Sequence, residues 1–459
     1  MSTNWSYVRL KDYCTKIGSG STPRGGANVY LDNGNVCLIR SQNIYNDGFS
    51  ESGLVFISDN DAEKLNNVAI ELNDILINIT GDSVARVCLA PKDKLPARVN
   101  QHVAIIRTVK DELDPKFVRY FLTNKNTQNH LLTLAGTGAT RNALTKGMLE
   151  EFLVPKPDIL IQKNISKILS DLDKKIYLNN QINQTLESIA QAIFKSWFID
   201  FDPVRAKIAA KQEGKDPELA AMYVISSQSE EELQQMAKDD FAELQATAAL
   251  FPDELMESEL GEVPKGWELQ QLKDIAKYSS NKISLNDLTL ENYISTENML
   301  SEKKGIEKAS SLPKVNSVPA FKKGNILVSN IRPYFKKIWF SSFEGGHSND
   351  VLNFEVLEEG CEEYLYNLIY QDSFFDQMMA SSKGSKMPRG DKKAIMSFQV
   401  VIPSITLRRL YSRKVGKFYF KKNVIEKENQ VLKSIRDTLL PKLLSGKLDV
   451  SSLEEIIHV

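Results

Sequence analysis

Cysteine and histidine are scarce in this chain. Among its 459 residues are four histidines and four cysteines, Cys14, Cys37, Cys88 and Cys361. The cysteines lie far apart and no Cys-x-x-Cys pair occurs, so the ligand spacing of a structural zinc site is missing. We therefore expect reduced thiols and no bound metal.

Long apolar runs are missing as well. Nowhere do eighteen uncharged apolar residues follow one another, and residues 1–10 contain no basic stretch followed by an apolar run. Membrane insertion and export are therefore both disfavoured. The sequence predicts a cytoplasmic protein without a membrane partner.

Catalytic signatures are also lacking. Gly20 and Gly25 have P-loop spacing, but Gly26 stands where the phosphate-binding lysine is required. Asp173 and Lys175 imitate part of a nuclease signature, yet they fall in a predicted helix, where residues two apart point in different directions. No dinucleotide fingerprint and no histidine cluster occur. We predict that the chain is not an enzyme and holds no cofactor of its own.

The near-zero net charge conceals a segregation of acids and bases. The chain has 58 Lys and Arg against 59 Asp and Glu, but residues 213–259 hold thirteen acids and only two lysines. The remainder therefore carries 56 basic and 46 acidic residues, with basic clusters at 322–337, 383–393 and 408–422. Such clusters are typical of nucleic-acid binding, although solvated surfaces would give the same pattern.

An internal repeat is the strongest organisational signal. The pattern Trp-x-x-x-x-Leu-Lys-Asp begins at Trp5 and returns at Trp267. A second set of matches, offset by 246 residues, includes Phe152 with Phe398. The repeating unit is far larger than the roughly 20 to 50 residues of a solenoid repeat. We interpret the chain as two copies of one domain-sized module.

Each copy ends in a long predicted helix. Over 169–197 and 411–443, seam residues recur at steps of three and four, as in a coiled coil. Both seams carry an asparagine at the equivalent position, Asn183 and Asn429. Because a buried asparagine commonly fixes register, we predict that these two face each other across an antiparallel or crossed helix pair. Two amphipathic helices on separate cores are the alternative.

The parts that precede the helices contain short apolar runs bounded by Gly, Asn, Asp and Pro, as strands do. The runs lie at Val36–Ile39, Ile75–Ile79, Val84–Leu89 and Val103–Ile106, and in the second copy at Asn325–Ile331, Lys337–Ser341 and Val351–Val356. The predicted fold class is α+β, with two strand-rich domains separated by two long helices that form an antiparallel, coiled-coil-like spacer. The predicted boundaries are 1–155 for the first domain, 156–205 for the central helix, 206–258 for an acidic helical insertion, 259–403 for the second domain and 404–459 for the distal helix.

Polar residues near the ends of these strands are the candidate DNA contacts. Arg or Lys recognises guanine, Asn or Gln recognises adenine, and hydroxyls suit either base. The Gly-containing loops at 136–141 and 382–389 are the leading contacts to the DNA backbone, since glycine lets amides approach a phosphate. The candidates in the first copy are Thr22, Arg24, Arg40, Gln42, Asn43, Asn78, Thr80, Arg86, Asn100, Gln101 and Arg141. Those in the second copy are Ser329, Asn330, Arg332, Lys336, Lys337, Ser348, Asn349, Lys383, Ser385, Lys386 and Arg389. Each of them would also suit an ordinary turn or surface position.

Along essentially its whole length the chain resembles the specificity subunits of Type I restriction-modification enzymes. The motifs that carry the resemblance are Gly18–Pro23, Ile39–Ile44, Asp74–Gly81, Asn100–Arg107, Val263–Trp267 and Leu439–Gly446. In that family two target-recognition domains alternate with two helical regions, and each domain reads one half of a bipartite DNA site. The resemblance implies an asymmetric target here, because the two modules differ in sequence.

The resemblance also implies partners. They are double-stranded DNA, two modification subunits that methylate adenine with S-adenosylmethionine, and restriction subunits that use ATP and Mg to translocate and cleave DNA. The helices are the expected docking surface, and Trp197, Phe198 and Phe201 are either exposed docking residues or core. Two other classes remain open: a coiled-coil scaffold, and a nucleic-acid-binding adaptor without sequence-specific duplex recognition.

Helix length suggests how the two half-sites are spaced. The seam over 165–197 has 33 residues, roughly 50 Å at about 1.5 Å per residue. Half-sites one DNA turn apart are separated by roughly 34 Å. We therefore expect the helices to set the length of the unread gap.

Overall fold

The structure is a computed structural model that describes residues 5–136, 142–384, 386–448 and 450. Its contacts divide the chain into a first unit, Met1–Asn179 with Glu428–Val459, and a second unit, Asn180–Lys427. Two 40-residue helices, α5 (Ile159–Phe198) and α13 (Ile405–Leu444), each contribute one part to the first unit and one part to the second.

The first unit is built mainly from short strands. They are β1 (Tyr7–Arg9), β2 (Cys14–Ser19), β3 (Val36–Ile39), β4 (Ile44–Tyr45), β5 (Gly48–Phe49), β6 (Val55–Ile57), β7 (Ile75–Asn78), β8 (Val87–Leu89), β9 (Ala97–Val99), β10 (Val103–Thr108) and β11 (Leu153–Pro155). The helices before α5 are α1 (Asp59–Lys64), α2 (Pro115–Thr123), α3 (Lys125–Gly136) and α4 (Lys146–Glu150). Short 3-10 helices lie at Leu10–Tyr13, Gly26–Val29, Ser41–Asn43, Asn66–Val68 and Lys92–Lys94.

An antiparallel sheet in the order β2-β10-β7-β8 forms the centre of the first unit. Side chains alternate across it: Ile75 and Ile77 enter one apolar core, while Leu76 enters another. A strand buried on both faces reads as a continuous apolar run, which explains why the sequence predicted this one. A second sheet, in the order β6-β3-β9, contributes side chains to the core that Leu76 enters.

After the last part of α5, the second unit continues with further helices and then with strands. Its first helices are α6 (Asp202–Gln212), α7 (Pro217–Ser226), α8 (Glu230–Gln234) and α9 (Lys238–Ala248). Its strands are β12 (Leu255–Ser258), β13 (Gly261–Pro264), β14 (Glu268–Gln271), β15 (Ala276–Tyr278), β16 (Lys282–Ser284), β17 (Tyr293–Ile294), β18 (Ser317–Phe321), β19 (Ile326–Ser329), β20 (Ile338–Phe340), β21 (Gly345–His347), β22 (Val351–Val356) and β23 (Gln399–Ile402). The helices before α13 are α10 (Glu362–Ile369), α11 (Asp372–Ala380) and α12 (Lys392–Met396), with 3-10 helices at Leu272–Asp274, Leu285–Asp287 and Pro333–Phe335.

The second unit repeats the central sheet of the first. The order β15-β22-β19-β20 is again fully antiparallel. Ile326 and Val328 enter the main core, whereas Leu327 enters a smaller one. A second sheet, in the order β16-β18-β21-β17, contributes side chains to the two smaller cores. The predicted α+β class and the internal repeat are confirmed.

The acidic segment, residues 206–258, is folded around a buried lysine. Lys207 of α6 is only 2% exposed, and its ammonium group donates to Glu218 over 2.7 Å and to the carbonyl of Phe251 over 2.8 Å. Since a buried lysine is costly unless it is paired, these bonds join three parts of the segment.

The helices α5 and α13 pack antiparallel in both units. In the first unit Arg436 donates to Asp173 over 2.9 Å. In the second, Lys422 donates to Glu187 over 2.6 Å. The contact that lies later on α5, at Glu187, is made with the residue that lies earlier on α13, Lys422. This order confirms the antiparallel prediction.

The pairing of Asn183 with Asn429 stays a prediction, because Asn183 belongs to the second unit and Asn429 to the first. Within the first unit, Asn429 accepts a hydrogen bond from Asn179 over 2.9 Å. Asn183 is buried in the second unit, and its Oδ1 has no hydrogen-bond partner among the described residues. Trp197 and Phe198, at 1% and 4% exposure, are core residues of the second unit and so is Phe201, so the docking role considered for them is wrong. Within the described ranges, no helix combines the length and apolar character needed to cross a membrane.

Candidate nucleic-acid interface

In the first unit three loops meet at one end of the central sheet. Strands β7 and β10 pair with Asn78 opposite Val103, so the loop after β7 lies beside the turn before β10. The amide of Ile79 donates to the carbonyl of His102 over 2.9 Å. The residues after the first glycine loop join them, since the amide of Leu144 donates to the carbonyl of Ile79 over 2.9 Å. We call these loops, with the turns after β2 and β3, the first strand-end surface.

A chain of polar side chains crosses this surface. The hydroxyl of Thr22 is hydrogen-bonded to Oε1 of Gln101, whose Nε2 lies 3.4 Å from Nε2 of His102. Nδ1 of His102 lies 2.7 Å from the hydroxyl of Thr80. Gly20 permits this arrangement, because a Cβ there would lie 2.2 Å from a backbone carbonyl oxygen of the β9–β10 turn. The sequence prediction omitted His102, although it directly follows Gln101 and is exposed.

Two partly exposed arginines are held against aromatic rings on the same side. The guanidinium of Arg40 lies 5.3 Å from the ring centre of Tyr30 and is hydrogen-bonded to the carbonyl of Gly53. The guanidinium of Arg86 lies 4.7 Å from the ring centre of Tyr45. Such cation–π contacts orient the guanidinium planes. Gln42, which is exposed, also donates to Gly53, over 3.2 Å.

The three predicted asparagines of this unit lie inside the protein. Asn43 is fully buried and donates to the carbonyl of Ser50 over 2.9 Å. Asn78 is fully buried and donates to the carbonyl of Ser41 over 2.8 Å. Asn100 is 6% exposed. Their amides hold the loops that carry the exposed candidates.

Two candidates lie outside the described residues, namely Arg141 in the first copy and Ser385 in the second. Arg24 is described, exposed and close in sequence to Thr22.

The second unit places the corresponding loops in the same way. Strands β19 and β22 pair with Ser329 opposite Val351. The amide of Asn330 donates to the carbonyl of Asp350 over 2.8 Å, and the amide of Gly390 donates to the carbonyl of Asn330 over 3.4 Å. Gly390 is needed because a Cβ there would lie 2.9 Å from the side chain of Ile395 and 3.0 Å from that of Asn330. We call this region the second strand-end surface.

Exposed basic residues line the second strand-end surface. Lys383, Lys386 and Arg389 lie on the glycine loop, and Arg332 is partly exposed beside it, with its amide donating to the carbonyl of Pro388 over 2.8 Å. Arg389 forms an ion pair with Asp350 over 3.1 Å. The remaining candidates also lie here: Asn349 is exposed, Ser348 is partly exposed, and the buried hydroxyl of Ser329 donates to Ile331 over 3.1 Å.

Two predicted residues face their own protein instead. Lys336 pairs with Asp372 over 3.0 Å, and this hydrogen bond raises the lysine pKa. Lys337 donates to the carbonyl of Thr296 over 2.6 Å, and burial lowers its pKa. Both ammonium groups are therefore engaged within the protein, although the carbonyl of Lys337 accepts from the amide of Ser329, another candidate, over 3.0 Å.

Unpartnered polar atoms concentrate at these surfaces. Among the described residues, ten buried side-chain nitrogen or oxygen atoms have no hydrogen-bond partner. Six of them belong to the two strand-end regions: Arg40 Nε, Asn78 Oδ1, Asn330 Oδ1, Arg332 Nε, His347 Nε2 and Ser348 Oγ. Because these atoms are buried, they face the protein interior, and the polar groups that are open to a ligand are the exposed side chains of the two surfaces.

The same surfaces offer no candidate metal site. Within the part of the chain that the structure describes, His, Cys, Asp and Glu side chains nowhere gather in a group of three or more that could hold a metal ion.

Comparison with known proteins gives matches of one kind. Residues 2–188 match the Type I restriction modification DNA specificity domain. The HindI specificity subunit of Haemophilus influenzae is 29% identical, covering 97% of this chain and 100% of that protein. The MjaIX specificity subunit of Methanocaldococcus jannaschii is 24% identical, covering 98% and 95%.

A solved structure agrees in fold. The crystal structure of a Type-I restriction-modification system S subunit from M. genitalium has a TM-score of 0.52 and 16% identity, with 96% of both chains covered. The family match in the first copy and the end-to-end similarity to named relatives bear out the resemblance predicted from the motifs. The first copy thus matches the Type I restriction modification DNA specificity domain, and almost the whole chain is similar to Type I specificity subunits.

Proposed function

We propose that this chain selects the DNA target of a Type I restriction-modification complex, with each strand-end surface reading one half of a bipartite duplex site. The observation that carries the proposal is that both surfaces present exposed polar or basic side chains, among them Gln42 and Gln101 on the first and Lys386 and Arg389 on the second. Base edges in the major groove present donors and acceptors that such side chains can bind.

The side chains at the two surfaces differ, which supports an asymmetric target. In the first unit, the amide that follows β7 donates to the carbonyl of His102. In the second unit, the amide that follows β19 donates to the carbonyl of Asp350, so these two residues occupy equivalent positions. Ala143 bridges to Thr80 in the first unit, while Arg389 bridges to Ile331 in the second. Since the donor and acceptor patterns are unlike, the two half-sites are expected to be unlike as well.

The proposal extends to protein partners. Both helices expose large apolar residues, among them Tyr177 (60%), Phe420 (67%) and Val431 (58%). Exposed apolar side chains on a helix favour docking of another protein. We assign this role to two modification subunits that methylate adenine with S-adenosylmethionine, and to restriction/translocase subunits that use ATP and Mg. The helix pair then also sets the unread spacer.

Single-molecule methylation mapping tests the proposal. DNA would be compared from cells that express this chain with its neighbouring methyltransferase and from cells that lack only this chain. We expect methylated adenine at one gapped, asymmetric motif that disappears with the chain. Unchanged methylation would reject the proposal and favour a coiled-coil scaffold.

A further inference from the structure

We infer that Arg389 reads a guanine in the half-site of the second unit and that Asp350 is the residue that positions it. The inference rests on the proposed function and makes it more specific. It also changes the expected role of Arg389, which the loop composition alone had assigned to the DNA backbone.

The backbone at Arg389 is fixed on two sides. Its amide donates to the carbonyl of Lys383 over 3.1 Å, and its carbonyl accepts from the amide of Lys383 over 3.0 Å. It also forms a bridge to Ile331, at the end of the central sheet. The guanidinium therefore projects from a defined position, as base readout requires, whereas a phosphate contact tolerates a mobile side chain.

Asp350 holds one end of the guanidinium. Nη2 of Arg389 lies 3.1 Å from one carboxylate oxygen and 3.4 Å from the other. Both contacts use Nη2, and because Nη2 carries two hydrogens, it can bind the carboxylate with one and form a fork with Nη1 or Nε through the other. The side chains of Arg389 and Asp350 are 55% and 41% exposed, so DNA can reach them. A fork of two parallel N–H donors matches O6 and N7 of guanine.

The surroundings favour a base over a phosphate. Asn349, which directly precedes Asp350, is exposed, so an amide that can bind a base edge is close in sequence to the pair. A carboxylate beside the arginine repels a phosphate but accepts the amino group of cytosine. Lys383, whose side chain is 85% exposed, is better suited to the phosphate.

The described residues of the first unit differ at these positions. Ala143 bridges to Thr80 where Arg389 bridges to Ile331, and His102 replaces Asp350. The Asp350–Arg389 pair therefore assigns this guanine contact to the half-site of the second unit.

Selection from a randomised duplex library tests the inference, with the full chain co-expressed with its methyltransferase. The variants are R389K, which keeps the charge but loses the planar fork, D350N, and K386A as a phosphate-contact control in the same loop. We expect R389K to reduce guanine preference at one position of one half-site by about 10- to 100-fold. D350N should weaken the preference at the same position, with unchanged melting temperature.

Salt dependence separates the two roles of a basic residue. K386A should keep the motif and lower the slope of log affinity against log salt by about one, whereas R389K should keep the slope. An R389K variant that preserves every base preference, or loses affinity equally for all sequences, would overturn the inference while leaving the proposed function intact. A wild-type chain that selects no motif would overturn both.

Discussion

Asn179 and Asn429 pair in the seam between the two long helices. Nδ2 of Asn179 donates to Oδ1 of Asn429 over 2.9 Å and to Glu428 over 2.8 Å, and the two asparagines are 1% and 5% exposed. A buried amide pair stabilises the helix register in which the two side chains meet, because any other register leaves them unpaired.

Replacing Asn429 alone should therefore be costly. N429L leaves a buried amide on Asn179 with one acceptor fewer, and we expect a loss of about 1–3 kcal/mol in the free energy of unfolding. N179L/N429L should recover much of that loss, since paired apolar replacement of buried polar groups is often tolerated. Urea titration measures both. N183L is the matched control and should be neutral or stabilising because Asn183 Oδ1 has no partner; an N429L chain as stable as wild type would contradict the argument.

A second buried pair stabilises the first unit. Nε and Nη2 of Arg107 donate to the two oxygens of Asp74 over 2.7 and 2.8 Å, and the Asp74 side chain is fully buried. D74N should cost about 3–5 kcal/mol because it leaves Arg107 without its buried counter-charge. E71Q removes the more exposed partner of Arg107 and should cost less than about 1 kcal/mol. Equal losses for the two variants, measured by urea unfolding, would show that burial does not set the cost.

The stability of the second unit should depend on Glu363. Burial raises the pKa of this carboxyl to about 7, above the ordinary value that it takes when unfolded. Between the ordinary value and about 7 the folded state binds more protons, so the free energy of unfolding falls as pH rises through this window. We expect a fall of about 1–3 kcal/mol from pH 5 to pH 8.

The E363Q variant provides the test. It should remove this part of the pH dependence and be more stable than wild type at pH 8, when urea unfolding is measured at both pH values. Glu359 is exposed and lines a surface groove together with Glu363. The E359Q variant is therefore the control and should keep the wild-type dependence of the free energy of unfolding on pH. A wild-type slope in E363Q would assign the pH dependence to another group.

Arg40 and Arg332 should each govern one half-site. Both side chains are partly exposed, and they lie on the first and second strand-end surfaces, respectively. R40A is expected to relax base choice in one half-site and R332A in the other, by about 1–3 kcal/mol at the affected position. Competition binding with single-base variants of the target measures this. A uniform loss on random DNA would instead identify a phosphate contact.

The elements of the central sheets could be predicted because they are buried on both faces. Val36–Ile39 has the same bounds in sequence and structure, and Ile75–Ile79 differs by one residue. The run at Val84–Leu89 was less accurate, because Ala85 has a positive φ of 68° and the strand begins only at Val87. A turn inside an apolar run is invisible to periodicity.

The pairing of the asparagines illustrates a different limit. Helix α5 has seam asparagines at both 179 and 183, one turn apart, and the repeat aligned Asn183 with Asn429. The hydrogen bond from Asn179 to Asn429 depends on how far the antiparallel helices are staggered, and tertiary packing sets that stagger. The repeat therefore did not single out Asn179.

The candidate site shows the same division between residue type and environment. The side-chain amide of Asn43 is hydrogen-bonded to the carbonyl of Ser50 in the same loop region, whereas Gln101 is exposed. Composition selects both, because an amide that reads adenine and an amide that holds a loop are chemically alike. Only the folded loops distinguish them, and they also reveal His102 beside Gln101.

The spacing role of the helices leads to the last prediction. Glu187 follows Asp173 on α5 by fourteen residues, and Arg436 follows Lys422 on α13 by the same number, so the carboxylate–base contacts within the two units are two heptads apart along each helix. Seven residues inserted after Asn179 and seven after Lys427 would leave the contacts within each unit unchanged. They would lengthen each helix by about 10 Å, close to three base pairs at roughly 3.4 Å each.

We therefore expect the double insertion to lengthen the unread spacer by about three base pairs and to preserve both half-sites, as read by methylation mapping. Insertion into α5 alone is the control. It cannot keep both sets of contacts in register, and the motif should be lost. A double-insertion variant that methylates the original spacer would show that the helices do not determine the distance between the half-sites.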